Sequence, residues 1–150
     1  MKQLSTGGQY EITPAMKEQL SLFYGNFATQ AETADKIRRE FLSDGYVIDP
    51  HTAVAAAVYE KYKKETGDGS KALIVSTASP YKFIRSVVPA IVTEDLPEDD
   101  FALIDRLEAV SGVKQPQAVR QIRNAPILHD KVADKDTDSM KQAVKDFLGL

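Results

Sequence analysis

A chain of 150 residues suits one compact domain burying roughly 70% of the surface its unfolded form exposes, so residues 1–150 are expected to form a single domain. The 19 basic and 22 acidic side chains leave a net charge of −3, which argues against nucleic acid or an anionic membrane surface as partner. Without cysteine, and with only two histidines, the chain has no disulfide framework or thiolate metal site, and no metal is expected.

The longest apolar runs, Ala53 to Tyr59 and Val87 to Val92, fall far short of the roughly 20 residues that span a bilayer. The amino terminus carries no signal-peptide apolar region, so a soluble cytoplasmic protein is expected.

Thr13-Pro14 is an N-cap followed by proline at the first helical position, and Met16, Leu20, Phe23 and Phe27 then recur at helical spacing, predicting a helix with one buried face. A second helix is predicted to begin near Thr29 to Thr33, where Thr29 and Glu32 have capping-box spacing. Ile37, Phe41 and Leu42 form its apolar stripe and Gly45 suits its left-handed end. Tyr46-Val47-Ile48 reads as a short extended piece. Asp49-Pro50 then opens a third helix with a capping oxygen and a preset φ, and Lys61, Lys63 and Lys64 complement its carboxyl end before Gly67.

After the turn Gly67 to Ser70, the run Ala72-Leu73-Ile74-Val75-Ser76-Thr77 reads as a strand buried on both faces. Ser79-Pro80 opens a fourth helix carrying Phe83, Val87 and Val88, which Pro89 should kink or end. Further short helices are expected from Pro97 to Val110, Pro116 to Arg123 and Ser139 to Leu148, joined by Gly112, Asn124-Ala125-Pro126 and the acidic stretch Asp134 to Asp138. The expected fold class is therefore α/β, mostly helical, with one buried strand and one or two short ones. A buried strand needs a neighbour on each edge, and these are either weak stretches such as Tyr46 to Ile48 and Ile127 to Val132 or sequence outside this chain.

Chemistry is best placed where that strand meets the next helix. Ser76, Thr77 and Ser79 put three hydroxyls there, and helix amino termini and strand carboxyl ends favour ligands. Ser79 is accounted for as a helix cap, while Thr77 can either bond a neighbouring backbone group or face a ligand. A nucleophilic-serine hydrolase is disfavoured because no Gly-x-Ser-x-Gly elbow surrounds Ser76 or Ser79. His51, in the first turn of a helix, is either a neutral imidazole able to donate or accept one hydrogen bond or a structural residue packed beside the cap. His129 precedes Asp130 in a loop and reads as solvated. Gly7-Gly8 is too small a glycine pair for a phosphate cradle.

The order Gly45-Tyr46-Val47-Ile48-Asp49-Pro50-His51-Thr52-Ala53-Val54-Ala55, a helix, a buried strand and then Ser76-Thr77-Ala78-Ser79-Pro80-Tyr81-Lys82-Phe83 resembles the carboxyl-terminal part of threonine synthases of the yeast and bacterial type. The second block is similar to the family's Ser-Thr-Ala-His/Ser-Pro-x-Lys-Phe pattern, and Met140-Lys141-x-x-Val144-x-x-Phe147-Leu148 also fits the family's carboxyl-terminal course. The resemblance implies the carboxyl-terminal part of the tryptophan-synthase-β-like, fold type II architecture. It also implies pyridoxal phosphate as cofactor of the intact enzyme, a lyase of threonine biosynthesis that converts O-phospho-L-homoserine and water into L-threonine and phosphate.

By the same resemblance Thr77 is the cofactor-binding residue, a neutral hydroxyl facing the pyridine nitrogen. Lys82 is the candidate for the substrate phosphate, although its ammonium equally suits a surface ion pair. The family's Schiff-base lysine and glycine-rich phosphate cup lie upstream of these motifs, so no catalytic residue is assigned here. Gly25-Asn26-Phe27 looks like part of that cup but falls within the first predicted amphipathic helix. The chain is thus expected to be a carboxyl-terminal fragment contributing one wall of the cofactor site, inactive alone, with the amino-terminal part of the same enzyme as its missing partner. The alternative is a free-standing interaction module or paralogue that kept the fold and lost the chemistry.

Overall fold

Helices in this chain start and stop where side chains serve the unpaired backbone groups of their end turns. In the computed structural model, which describes residues 2–128 and 130–150, this holds most clearly for α3 (Gln30–Asp44) and α4 (Pro50–Thr66). The elements before them are α1 (Lys2–Gly7) and α2 (Pro14–Gln19). His129 lies outside the described residues.

Thr29 Oγ1 accepts from the Glu32 amide at 3.2 Å while Glu32 Oε2 accepts from the Thr29 amide at 2.7 Å, closing the predicted capping box of α3. Gly45 (φ 68°) and Gly67 (φ 71°) end α3 and α4 in the left-handed region, where a Cβ would be strained. Between these helices, Val47 and Ile48 are buried without forming a strand.

The described residues fall into two compact units, the first ending at Gln115 and the second running from Pro116 to Leu150. In the first, α3 packs on α4 and on α5 (Ile84–Ile91), and α5 packs on α6 (Asp100–Ser111). Its core contains Ile37, Ala53, Ala56, Ala57, Val87, Val88, Leu103 and Leu107. Ion pairs flank the α3–α4 contact: Lys36 Nζ meets Glu60 at 2.6 Å and also Glu40, and Arg39 grips Glu60 at 3.0 Å and 3.2 Å. Ser79 caps a 3-10 turn over Pro80–Phe83 that leads into α5. Pro89 does not end α5, which continues to Ile91; Pro89 and Arg85 are both exposed, so the carbonyl that loses its amide partner has access to water. The second unit contains α7 (Gln117–Ile122) and α8 (Thr137–Leu148), the latter capped by Asp136, which accepts from the amides of Asp138 and Ser139.

Two expectations are overturned. The run Ala72 to Thr77 is not a strand, and no strand occurs among the described residues, so the α/β class and the sheet-containing architecture implied by the resemblance are not what these residues form. A strand exists only through its ladder, and no ladder partner is in place. Leu73 is 89% exposed and Val75 69% exposed, the opposite of burial on two faces. Of the neighbours considered, Val47 and Ile48 are committed to the helical core, and Ile127, Leu128 and Val132 lie exposed in the second unit.

The first predicted helix is also shorter than its periodicity suggested. It ends at Gln19, is followed by a 3-10 turn over Leu20–Leu22, and buries none of Met16, Leu20, Phe23 or Phe27. Gly25-Asn26-Phe27 therefore lies in irregular chain, where the Asn26 side chain bonds the Phe27 amide and the Tyr24 hydroxyl. Leu42, assigned to the α3 stripe, is exposed as well. Among the described residues no helix is long and apolar enough to cross a membrane.

Candidate functional site

The start of α4 is organised by one carboxylate. Asp49 has no exposed surface, and its Oδ1 accepts from the His51 amide at 2.9 Å and the Thr52 amide at 3.5 Å. His51 Nδ1 lies 3.1 Å from the same oxygen. The other oxygen, Oδ2, takes a short hydrogen bond from the Thr52 hydroxyl and lies 3.5 Å from Ser76 Oγ. Thr52 Oγ1 and Ser76 Oγ are 3.0 Å apart, so the hydroxyls and the carboxylate form one network across 27 residues of sequence.

Burial alone would push the Asp49 carboxyl up. Hydrogen bonds from the Thr52 hydroxyl, the His51 amide and ring, and the Thr52 amide outweigh that and hold it below its ordinary value. The group is therefore an anion near neutral pH and acts only as an acceptor. Its contact with His51 then requires a proton on Nδ1, and in the neutral form of this ring, which is 65% exposed, Nε2 is the acceptor nitrogen. The other side of the ring region is set by Phe83, whose ring centroid lies 4.8 Å from that of His51.

Thr77 follows Ser76 directly. It is exposed, and its hydroxyl has no hydrogen-bond partner among the described residues, so it does not bond a neighbouring backbone group. Ser79 accepts from the Tyr81 amide at 3.3 Å and so serves as a cap. Lys82 is exposed and makes no ion pair among the described residues; its ammonium stands 5.8 Å from the Phe83 ring centroid. An open groove of about 360 Å3 borders the network, lined in part by Ile48, Thr52, Ala56, Tyr59, Ile74 and Ser76.

The sequence separated Asp49 as a cap from Ser76 as a strand-tip hydroxyl, and did not join them through Thr52. Only the spacing of Asp49 and Thr52, three residues apart at a helix start, signalled half of this network.

The family described as threonine synthase, C-terminal, matches residues 52–125, which include Thr52, Ser76, Thr77, Ser79 and Lys82. Residues 52–125 belong to this threonine synthase family. A threonine synthase of Schizosaccharomyces pombe is 29% identical over 143 residues, covering 87% of this chain and 28% of that protein. A threonine synthase of Serratia marcescens is 36% identical over 73 residues, 49% of this chain and 16% of the relative. The human protein named threonine synthase-like 1 is 28% identical over 96 residues, 63% of this chain and 12% of its own length. The chain thus spans between about an eighth and just over a quarter of the curated relatives it matches.

Threonine synthases use pyridoxal phosphate, and the residues present can be tested against that group. Thr77 fits one contact, since its hydroxyl is neutral, exposed and unengaged. Lys36, although buried, does not fit an imine-forming amine. Burial would push its ammonium down, but Glu40 and Glu60 outweigh burial and raise it above its ordinary value, which keeps it charged.

Proposed function

We propose that this chain supplies one wall of the cofactor site of a threonine synthase, with Thr77 facing the pyridine nitrogen of pyridoxal phosphate. The observation that carries this reading is the exposed Thr77 hydroxyl, which has no partner among the described residues, lies within the family-matched residues 52–125, and follows directly on Ser76 of the Asp49 network. When bound, the cofactor supplies the electron sink for chemistry at the substrate's α-carbon. A neutral hydroxyl partner leaves its ring nitrogen unprotonated and moderates that sink. Lys82, exposed and without an ion pair among the described residues, is the candidate for the phosphate of O-phospho-L-homoserine. The amino-terminal part of the enzyme supplies the Schiff-base lysine and phosphate cup. The reading places the protein in the cytoplasm, as part of a lyase of threonine biosynthesis that forms L-threonine and phosphate, with this chain inactive by itself.

Its test is direct: the chain is incubated with pyridoxal phosphate and O-phospho-L-homoserine, treated with borohydride, and assayed for threonine. No threonine and no stoichiometric reduced adduct at a single lysine is the expected result. Threonine formation by the chain alone overturns the reading.

Exposure of Leu73 and Val75 favours a second reading, an interaction module whose extended segment pairs with another chain. Light scattering separates the two. A dimer that survives dilution supports the module, and a monomer supports the cofactor-wall reading.

A further inference from the structure

We propose that Asp49 is the positioning residue of this site, a single buried carboxylate that fixes the segment carrying the Thr77 hydroxyl and, in the neutral form of His51, presents Nε2 as an acceptor for an N–H or O–H group on an amino-acid ligand. The ligand's identity rests on the threonine synthase reading; the positioning does not.

The geometry divides the work between the two carboxylate oxygens. Each hydroxyl has one proton to give. The Thr52 proton goes to Asp49 Oδ2 in the short contact, so the Ser76 proton is directed back to Thr52 Oγ1 at 3.0 Å or to Asp49 Oδ2 at 3.5 Å. Either way Ser76 is anchored to the start of α4. Thr77 comes next along the chain, its Cα about 3.8 Å from that of Ser76. This anchor matters because residues 72–77 have no ladder to hold them, and Leu73 and Val75 are largely exposed. At its other end the segment is tied at Ser70, whose carbonyl accepts from the Tyr59 hydroxyl at 3.0 Å. The second oxygen, Oδ1, orients the imidazole through Nδ1, while Phe83 packs near the ring. An ordinary N-cap needs only the two amide contacts. The two hydroxyls and the imidazole gathered on the same buried group are what a cap does not require.

Nuclear magnetic resonance of the full 15N-labelled chain tests this without cofactor or substrate, so its failure is separate from failure of the proposed function. In the wild-type chain the His51 ring nitrogens above neutral pH should report the Nδ1–H tautomer, and the Thr77 amide order parameter should lie near the rigid value of about 0.85. Ser76→Ala leaves the α4 cap in place and should lower the Thr77 value below about 0.6, whereas Ser76→Thr, which keeps the hydroxyl, should restore it. A wild-type His51 in the Nε2–H tautomer overturns the proposal, and so does a Thr77 order parameter that Ser76→Ala leaves unchanged. Thr52→Val provides a second variant: it leaves Ser76 only its 3.5 Å contact with Asp49 Oδ2, and should lower the Thr77 order parameter by less than Ser76→Ala does.

Discussion

Two apolar stretches of the first unit meet opposite fates. In α4 the alanines Ala53, Ala56 and Ala57 are buried, while Leu73 and Val75, larger and more apolar, stand in water. Apolar character does not separate them; backbone hydrogen bonding does. A helix pairs its own amides and carbonyls and needs only cover for one face, which α3 provides for α4. An extended run has to borrow its backbone partners from another segment, and none is in place among the described residues. What holds residues 72–77 is instead a polar anchor at each end, Tyr59 to Ser70 and Asp49 with Thr52 to Ser76.

That contrast can be broken most strongly from the helical side. Leu107 has no exposed surface, and Leu107→Ala should destabilise the fold by about 3 kcal/mol through lost burial and the cavity left behind, read as a lower urea midpoint. Asp49→Ala attacks the junction between the two regions. It removes the α4 cap and leaves the Thr52 hydroxyl without its carboxylate acceptor, and should cost about 2 kcal/mol by the same measurement.

Acid sharpens the comparison further. Arg39, opposed by burial and helped by Lys36, lowers the Glu60 carboxyl to about 2. Below its ordinary value of 4.5 the unfolded chain binds a proton that the folded chain refuses, so the stability Glu60 contributes is present above pH 4.5 and fades as pH falls toward 2. Because the Glu60 side chain is 39% exposed, that loss is about 1 kcal/mol or less, and Glu60→Gln should flatten it in urea midpoints measured across the same pH range. The smallest effect is expected on the extended side: Leu73→Ala should change stability by less than about 0.5 kcal/mol. A loss comparable to that of Leu107→Ala would mean that the segment is covered in solution.

Much of the helical scaffold was legible because its signals are local. Thr29 and Glu32, Asp49 and Pro50, and Gly45 and Gly67 act within one turn of the helix ends they define, and each appears where the spacing places it. Periodicity was less dependable. Met16, Leu20, Phe23 and Phe27 have helical spacing, yet the helix stops at Gln19 and its apolar side finds no cover. The candidate site was legible in pieces. Ser79 as a cap and Asp49 as a cap are local facts, but the joining of Asp49, Thr52 and Ser76 crosses 27 residues and needed the packing of the first unit to bring the pieces together.

From the residues alone came the capped starts of α3 and α4, the left-handed glycine ends, and the two blocks that resemble threonine synthase, because each depends on side chains close in sequence or on their order. Tertiary structure decided that, among the described residues, Ala72 to Thr77 has no sheet, that Asp49 holds Ser76 as well as its own helix, and that the Thr77 hydroxyl has no partner. The physical reason is the same in each case. A helix end is satisfied within its own turn, whereas a strand ladder or a shared carboxylate exists only when distant chain segments arrive together.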